Sequence, residues 1–147
     1  MTTVHVTGIN HVATLTADLD RYVEFYVGVL GAGVKSTDDA DGEHPRNAVL
    51  DIGGSAVLHA FEVPEDAIVG NRGQIGGRGP IDHFGVGAAC LEDFEQLRQK
   101  LIAAGASSGE VRAYGPALSV FFRDPDGAEL ELCCNKADAG RSGGRVA

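Results

Sequence analysis

Three histidines and one glutamate divide into two pairs with a single spacing: His83 follows His11 by 72 residues, and Glu131 follows His59 by 72. Imidazole nitrogens and a carboxylate are the donors that divalent transition metals take from proteins, and both groups also carry protons in acid–base steps. If the four converge, they hold one divalent metal, with Glu131 and His59 also able to move protons. A single histidine in a strand is more often structural than ligating, so the weight rests on four related positions rather than on any one.

The same interval runs through the rest of the chain without a gap. It sets Ile9 over Ile81, Leu19 over Leu91, Ala32 over Ala104, Gly33 over Gly105, Ala56 over Ala128 and Leu58 over Leu130. Conservative matches such as Tyr22 over Phe94 and Val29 over Leu101 fill the intervals. An internal repeat of this length is one supersecondary unit written twice.

Each unit opens with an alternating run, Gly8 to Thr16 and Pro80 to Ala88, which reads as a strand with the histidine in its middle. Apolar residues then recur at helical intervals over Asp18 to Leu30 and over Leu91 to Ala104, with Gly33 and Gly105 expected to take the positive φ beyond each helix. Three strands follow in each unit: Val34 to Thr37, Asn47 to Asp51 and Ser55 to Val63, then Glu110 to Tyr114, Leu118 to Arg123 and Ala128 to Cys134. Ile52-Gly53-Gly54-Ser55 and Asp124-Pro125-Asp126-Gly127 supply the tight turns before the last strands.

The expected fold is therefore α+β: tandem βαβββ units forming an open, curved mixed sheet around a metal cavity. It is read as a single domain over 1–147, made of unit 1 (8–63), a glycine-rich linker carrying Arg72 and Arg78 (64–79), unit 2 (80–134) and a flexible tail (135–147). A pseudo-twofold between the units would bring equivalent residues face to face. Strand parity supports an inward direction for His59 and Glu131, because Leu58, Leu130 and Leu132 occupy the opposite face and would pack beneath the helices.

Composition limits the partners. Asp and Glu outnumber Lys and Arg by 21 to 12, giving a formal charge of -9 with no basic stripe, which opposes nucleic-acid binding. No apolar run approaches a bilayer span and the first residues lack a signal-peptide pattern, so a cytoplasmic protein is expected. The three cysteines, Cys90, Cys133 and Cys134, lack metal-site or CxxC spacing and are read as reduced core residues. His5 and His44 have no repeat partner and are assigned to the surface. Arg112 and Tyr114 are placed equally well at the cavity or in solvent.

The segments Gly8-Ile9-Asn10-His11-Val12-Ala13, the Phe25-Tyr26 helix, Ile81-Asp82-His83-Phe84, and Phe122-Arg123-Asp124-Pro125-Asp126-Gly127 through Glu131-Leu132 resemble the vicinal oxygen chelate superfamily over roughly Gly8 to Cys134. That superfamily holds glyoxalase I, methylmalonyl-CoA epimerase, extradiol dioxygenases, fosfomycin-inactivating thiol transferases and metal-free bleomycin-binding proteins. Position by position, its metal ligands fall on His11, His59, His83 and Glu131.

The resemblance implies one divalent ion (Fe, Mn, Ni, Co or Zn), a small oxygen-chelating anionic substrate, glyoxalase-like lyase or isomerase chemistry, and a homodimer. Glyoxalase I generally has a glutamate where this chain has His59. The subset His11, His83 and Glu131 instead matches an extradiol-dioxygenase-like oxidoreductase or a fosfomycin-type thiol transferase. A non-catalytic binding or resistance protein, and a closed structural zinc site, are the further alternatives.

Overall fold

The computed structural model describes His5, residues 8–70, Arg78 and residues 80–137. The chain divides into two compact units, Met1–Val69 and Gly70–Ala147, each with the same plan.

Unit 1 contains β1 (His11–Thr16), α1 (Leu19–Gly28), β2 (Gly33–Asp38), β3 (Asn47–Asp51) and β4 (Val57–Glu62), followed by a single 3-10 turn at Glu65–Ala67. Its four strands lie in the order β1-β4-β3-β2, with β1 parallel to β4 and the other pairs antiparallel. Asp18 caps α1, its Oδ1 accepting from Arg21 N at 3.0 Å, while Glu62 Oε2 accepts from Leu19 N at 2.7 Å and ties the helix start to the end of β4. Leu19, Tyr22 and Tyr26 form the buried stripe of α1, and Ala48, Leu50, Leu58 and Ala60 are the buried apolar residues of the sheet. The buried Tyr22 hydroxyl lies 2.7 Å from Thr14 Oγ1, which meets its hydrogen-bonding need.

Unit 2 contains β5 (Phe84–Gly87), α2 (Leu91–Ala103), β6 (Arg112–Tyr114), β7 (Ala117–Arg123) and β8 (Glu129–Asn135), in the order β5-β8-β7-β6. Glu92 and Asp93 in the first turn of α2 and Lys100 in its last complement the helix dipole. Phe94 and Leu101 are buried, as are Val120, Phe122, Leu130, Leu132 and Cys134 on the strands. Among the described residues no helix is long and apolar enough to cross a membrane.

The registers of the last strands, β4 and β8, with both their neighbours repeat to the residue. Ala13 pairs His59 and Val49 pairs His59 in unit 1; Gly85 pairs Glu131 and Phe121 pairs Glu131 in unit 2. Every one of these positions is displaced by 72.

Two expectations change. The histidines are not in the middle of strands: β1 begins at His11, and His83 stands just before β5. In unit 1 the first strand starts where its parallel partner does, His11 pairing Val57, the first residue of β4, whereas in unit 2 the pairing starts one step later, at Phe84 and Leu130. The residue with positive φ after α1 is Gly31 (φ 76) rather than Gly33, while Gly105 (φ 69) follows α2 as expected.

The second change has a cause in chain length. Gly105 lies 15 residues beyond its helix cap Cys90, whereas Gly31 lies 13 beyond Asp18. The hairpin then removes the excess, since Asp38 pairs Asn47 nine residues on and Arg112 pairs Ser119 seven on. The matches Ala32/Ala104 and Gly33/Gly105 are thus not structural equivalents.

The segment read as a linker over 64–79 starts with the 3-10 turn, and its residues 71–77 and 79 lie outside the described residues. Of the segment read as a tail over 135–147, Asn135 ends β8 and Lys136 N donates to Pro116 O at 2.8 Å; residues 138–147 lie outside the described residues.

Candidate functional site

In unit 1 the face of the sheet opposite α1 carries His11 and His59. They stand on adjacent parallel strands two positions apart, because Ala13 rather than His11 is the direct partner of His59. Leu58 and Ala60, on the other face, are fully buried, as parity requires.

His11 Nδ1 lies 2.6 Å from Asn10 Oδ1. An amide oxygen only accepts, so the proton is on Nδ1 and Nε2 keeps its lone pair. His59 is held the other way, with Nε2 donating to Asn47 Oδ1 at 3.0 Å, which leaves the lone pair on Nδ1. Its ring stacks obliquely on Phe61, with 4.1 Å between centroids.

In unit 2, Gly85 pairs Glu131, so the segment carrying His83 runs alongside the strand carrying the carboxylate. His83 Nε2 and Glu131 Oε2 are 3.4 Å apart. The other nitrogen, Nδ1, donates to Asp82 Oδ2 at 2.7 Å, and Asp82 Oδ2 also accepts from Arg78 Nη1 at 3.0 Å. The His83 hydrogen bond, ahead of the Arg78 charge, holds the Asp82 carboxyl below its ordinary pKa.

Phe121 meets the His83 ring edge-on at 5.3 Å, and the Arg112 guanidinium lies over Phe121 at 5.9 Å. Arg112 and Tyr114 are themselves exposed to solvent.

Of the four residues expected to act together, unit 2 therefore brings His83 against Glu131, and unit 1 sets His11 and His59 on one face. Within either unit, no three His, Cys, Asp or Glu side chains among the described residues form a metal-binding group. The donor chemistry nonetheless suits a divalent ion. An oxygen acceptor fixes Nδ1 of His11 and of His83, which leaves Nε2 as the nitrogen each can turn to a metal, and a carboxylate stands 3.4 Å from Nε2 of His83.

His5 is exposed, and His44 sits in an exposed loop against Asp41, away from this face. Cys90 and Cys134 are buried as expected. Cys133 is not a core residue: it is only partly buried and shares the sheet face of Glu131, two positions along β8. Burial, then the Glu131 charge and hydrogen bond, push its thiol pKa from 9.0 to about 11, so it is a poor nucleophile near neutral pH.

Residue type and spacing alone give no role to Asn10, Asn47, Arg78 or Asp82. For Asn10 and Asp82 a signal existed, since they too are 72 apart.

A family model described as the Glyoxalase/Bleomycin resistance protein/Dioxygenase superfamily matches residues 8–132. Among curated proteins none matches. The chain is similar to the crystal structure of a glyoxylase/bleomycin resistance protein/dioxygenase domain from Frankia sp. EAN1pec, at TM-score 0.71 and 22% identity, over 88% of this chain and 98% of that one. It is similar to a lactoylglutathione lyase from Agrobacterium tumefaciens, at TM-score 0.65 and 20% identity, over 90% of this chain and 97% of that one. A fosfomycin resistance protein, FosX, from Listeria monocytogenes aligns at TM-score 0.67 and 16% identity, over 88% and 94%. At these identities the likeness is one of fold.

Proposed function

We propose that this chain, which belongs to the Glyoxalase/Bleomycin resistance protein/Dioxygenase superfamily, is a metal-dependent lyase or isomerase of the glyoxalase kind, acting on a small anionic substrate with two neighbouring oxygens. The observation that carries the reading is His83 Nε2 facing Glu131 Oε2 at 3.4 Å. The positions related to them by the repeat, His11 and His59, also share one sheet face.

In this reading His11, His59, His83 and Glu131 would hold one divalent ion, Fe, Mn, Ni, Co or Zn. When bound, the ion supplies positive charge that stabilises an oxyanion developing on the substrate. Three neutral imidazoles and one carboxylate leave such a centre net positive, which favours an anionic chelating substrate even in a chain of net charge -9.

The remaining work falls to the chain. Glu131 moves protons, and His59, whose hydrogen bond to Asn47 leaves a single lone pair on Nδ1, either completes the metal site or stands just outside it as acid or base. Asp82 and Asn10 orient His83 and His11 through their Nδ1 atoms. The working assembly in this reading is a homodimer.

A second reading is favoured by the same Asn47 contact, which occupies His59 Nε2. An extradiol-dioxygenase-like oxidoreductase or a fosfomycin-type thiol transferase needs only His11, His83 and Glu131.

The test is to purify the chain without added metal, identify the bound element by mass spectrometry, and assay isomerisation of a methylglyoxal hemithioacetal. Oxygen uptake with catechols and thiol addition to fosfomycin are run beside it. Isomerisation that a chelator abolishes supports the first reading. Protein that neither carries nor takes up a divalent metal overturns both.

A further inference from the structure

We infer that Arg78 is a positioning residue, whose guanidinium bridges Glu129 of β8 to Asp82 so that Asp82 holds His83 with Nδ1 protonated and Nε2 turned toward Glu131. The inference deepens the metal reading above and rests on it for its functional meaning.

The contacts form one chain. Arg123 Nε donates to Glu129 Oε2 at 2.9 Å, and Arg78 Nη2 lies 3.7 Å from the same oxygen. Arg78 Nη1 donates to Asp82 Oδ2 at 3.0 Å, and that oxygen accepts from His83 Nδ1 at 2.7 Å. Glu129 and Glu131 lie on the same face of β8, two positions apart. One forked cation thus joins the strand that carries Glu131 to the segment that carries His83. A lysine, with a single point of charge, cannot make both contacts in fixed geometry.

The repeat provides an internal control. At the offset of 72, Arg78, Asp82 and Glu129 correspond to Val6, Asn10 and Val57. Unit 1 has the same strand order and first-to-last strand register with no charge at any of the three, so the fold does not require them.

They also oppose stability. The Arg78 and Glu129 side chains are each only 12% exposed, and Arg78 Nε and Asp82 Oδ1 are buried with no hydrogen-bond partner among the described residues. Desolvating charged groups that are incompletely paired costs free energy that apolar residues would not. A cluster that the fold can do without, and that costs stability, is accounted for by what it does to His83. A carboxylate on Nδ1 makes Nε2 the better donor and fixes the ring's rotation, whereas the neutral Asn10 does so more weakly for His11.

The test reads the imidazole directly. The 15N-labelled full chain is stripped of metal with a chelator and held at pH about 8, above the ordinary imidazole range. Long-range 1H–15N spectra then report which ring nitrogen of His83 carries the proton, the signal being assigned by its loss in His83→Gln. The expected result is Nδ1–H in the parent chain, a mixed population in Arg78→Met, and partial recovery in Arg78→Lys. Zn2+ affinity by calorimetry should fall about 10- to 100-fold in Arg78→Met.

An unchanged tautomer in a folded Arg78→Met overturns the inference, as does Nε2–H in the parent chain. If Arg78→Met does not fold, Asp82→Ala must give the same loss of Nδ1–H, and a retained Nδ1–H there overturns it equally. A parent chain that takes up no Zn2+ but shows the Arg78-dependent tautomer refutes the metal reading and upholds the positioning. Zn2+ uptake with a tautomer indifferent to Arg78 does the reverse.

Discussion

Asn47 Oδ1 accepts from His59 Nε2 at 3.0 Å, and this contact sets His59 apart from the imidazoles of His11 and His83, which use Nδ1 against the residue preceding each. A ring fixed through Nε2 offers Nδ1, a nitrogen closer to its own backbone. Asn47→Leu removes the acceptor without adding charge. It should leave bound metal near the parental content and lower turnover about tenfold, while His59→Gln lowers it about a hundredfold or more. Steady-state kinetics on metal-loaded protein checks both, and equal activity in all three proteins would remove His59 from the chemistry.

Metal content discriminates the face from the surface. His83→Ala and Glu131→Gln should each lower stoichiometric metal at least about tenfold, because each deletes a donor of the proposed centre. His44→Ala, at a side chain paired with Asp41 in an exposed loop, should match the parent chain. Elemental analysis after gel filtration decides. Identical content in the three variants would mean that the metal is held elsewhere.

Gly109 tests the packing around α2. Its φ is +75°, and a Cβ there would stand 2.3 Å from Ile102 Cδ1 and 2.7 Å from Ile102 Cγ1, while its carbonyl accepts from Arg98 Nε at 2.7 Å. Gly109→Ala should cost about 2–4 kcal/mol in urea unfolding, strain and overpacking together. Gly105→Ala, with φ +69° and nothing within 4 Å of its Cβ, should cost only the backbone strain, about 1 kcal/mol. Equal losses would show that Ile102 simply moves aside.

Cys133 carries a pH signature. With its thiol pKa pushed from 9.0 to about 11 by burial and then by Glu131, alkylation by iodoacetamide at pH 8 should run about a hundredfold slower than for an ordinary cysteine. Glu131→Gln lifts the electrostatic part and should speed it, while the contribution of burial remains. The sign for stability follows from proton binding: the folded state keeps a proton that the unfolded state releases. Stability from this group in the metal-free protein is complete below pH 9 and declines as pH rises toward 11. Mass-resolved alkylation rates and urea midpoints at pH 8 and 10 measure the two effects.

The two-unit plan and the faces of the last strands were legible because parity and a constant offset are properties of sequence alone. Leu58, Leu130 and Leu132 are buried and His59 and Glu131 lie on the other face, as the alternation requires. The roles of Asn10 and Asp82 were not legible, although their spacing was. Neighbours within a strand point to opposite faces, so a residue adjacent to a histidine is not normally its partner. Asn10 and Asp82 lie just before the strands begin, off the pleat, and there each reaches the following imidazole. Arg78 was hidden for a different reason: it sits in a glycine-rich run without periodicity, where only the fold reveals Glu129 and Asp82 beside it.

The two extra residues before Gly105 and the spacing across the β6–β7 hairpin, shorter by two between equivalent paired residues, cancel before the strands that carry the site. What this chain holds constant is the distance along the sequence from first strand to last, and the edge hairpin is where it absorbs change. Residues 39–46 between β2 and β3 are almost wholly exposed and are joined to the rest through Arg46, by surface ion pairs with Asp20 and Glu62 and by its carbonyl, which accepts from Glu62 N at 2.8 Å. That hairpin is therefore a graft site: a peptide tag or a binding loop inserted there lengthens a segment whose length the fold already treats as free.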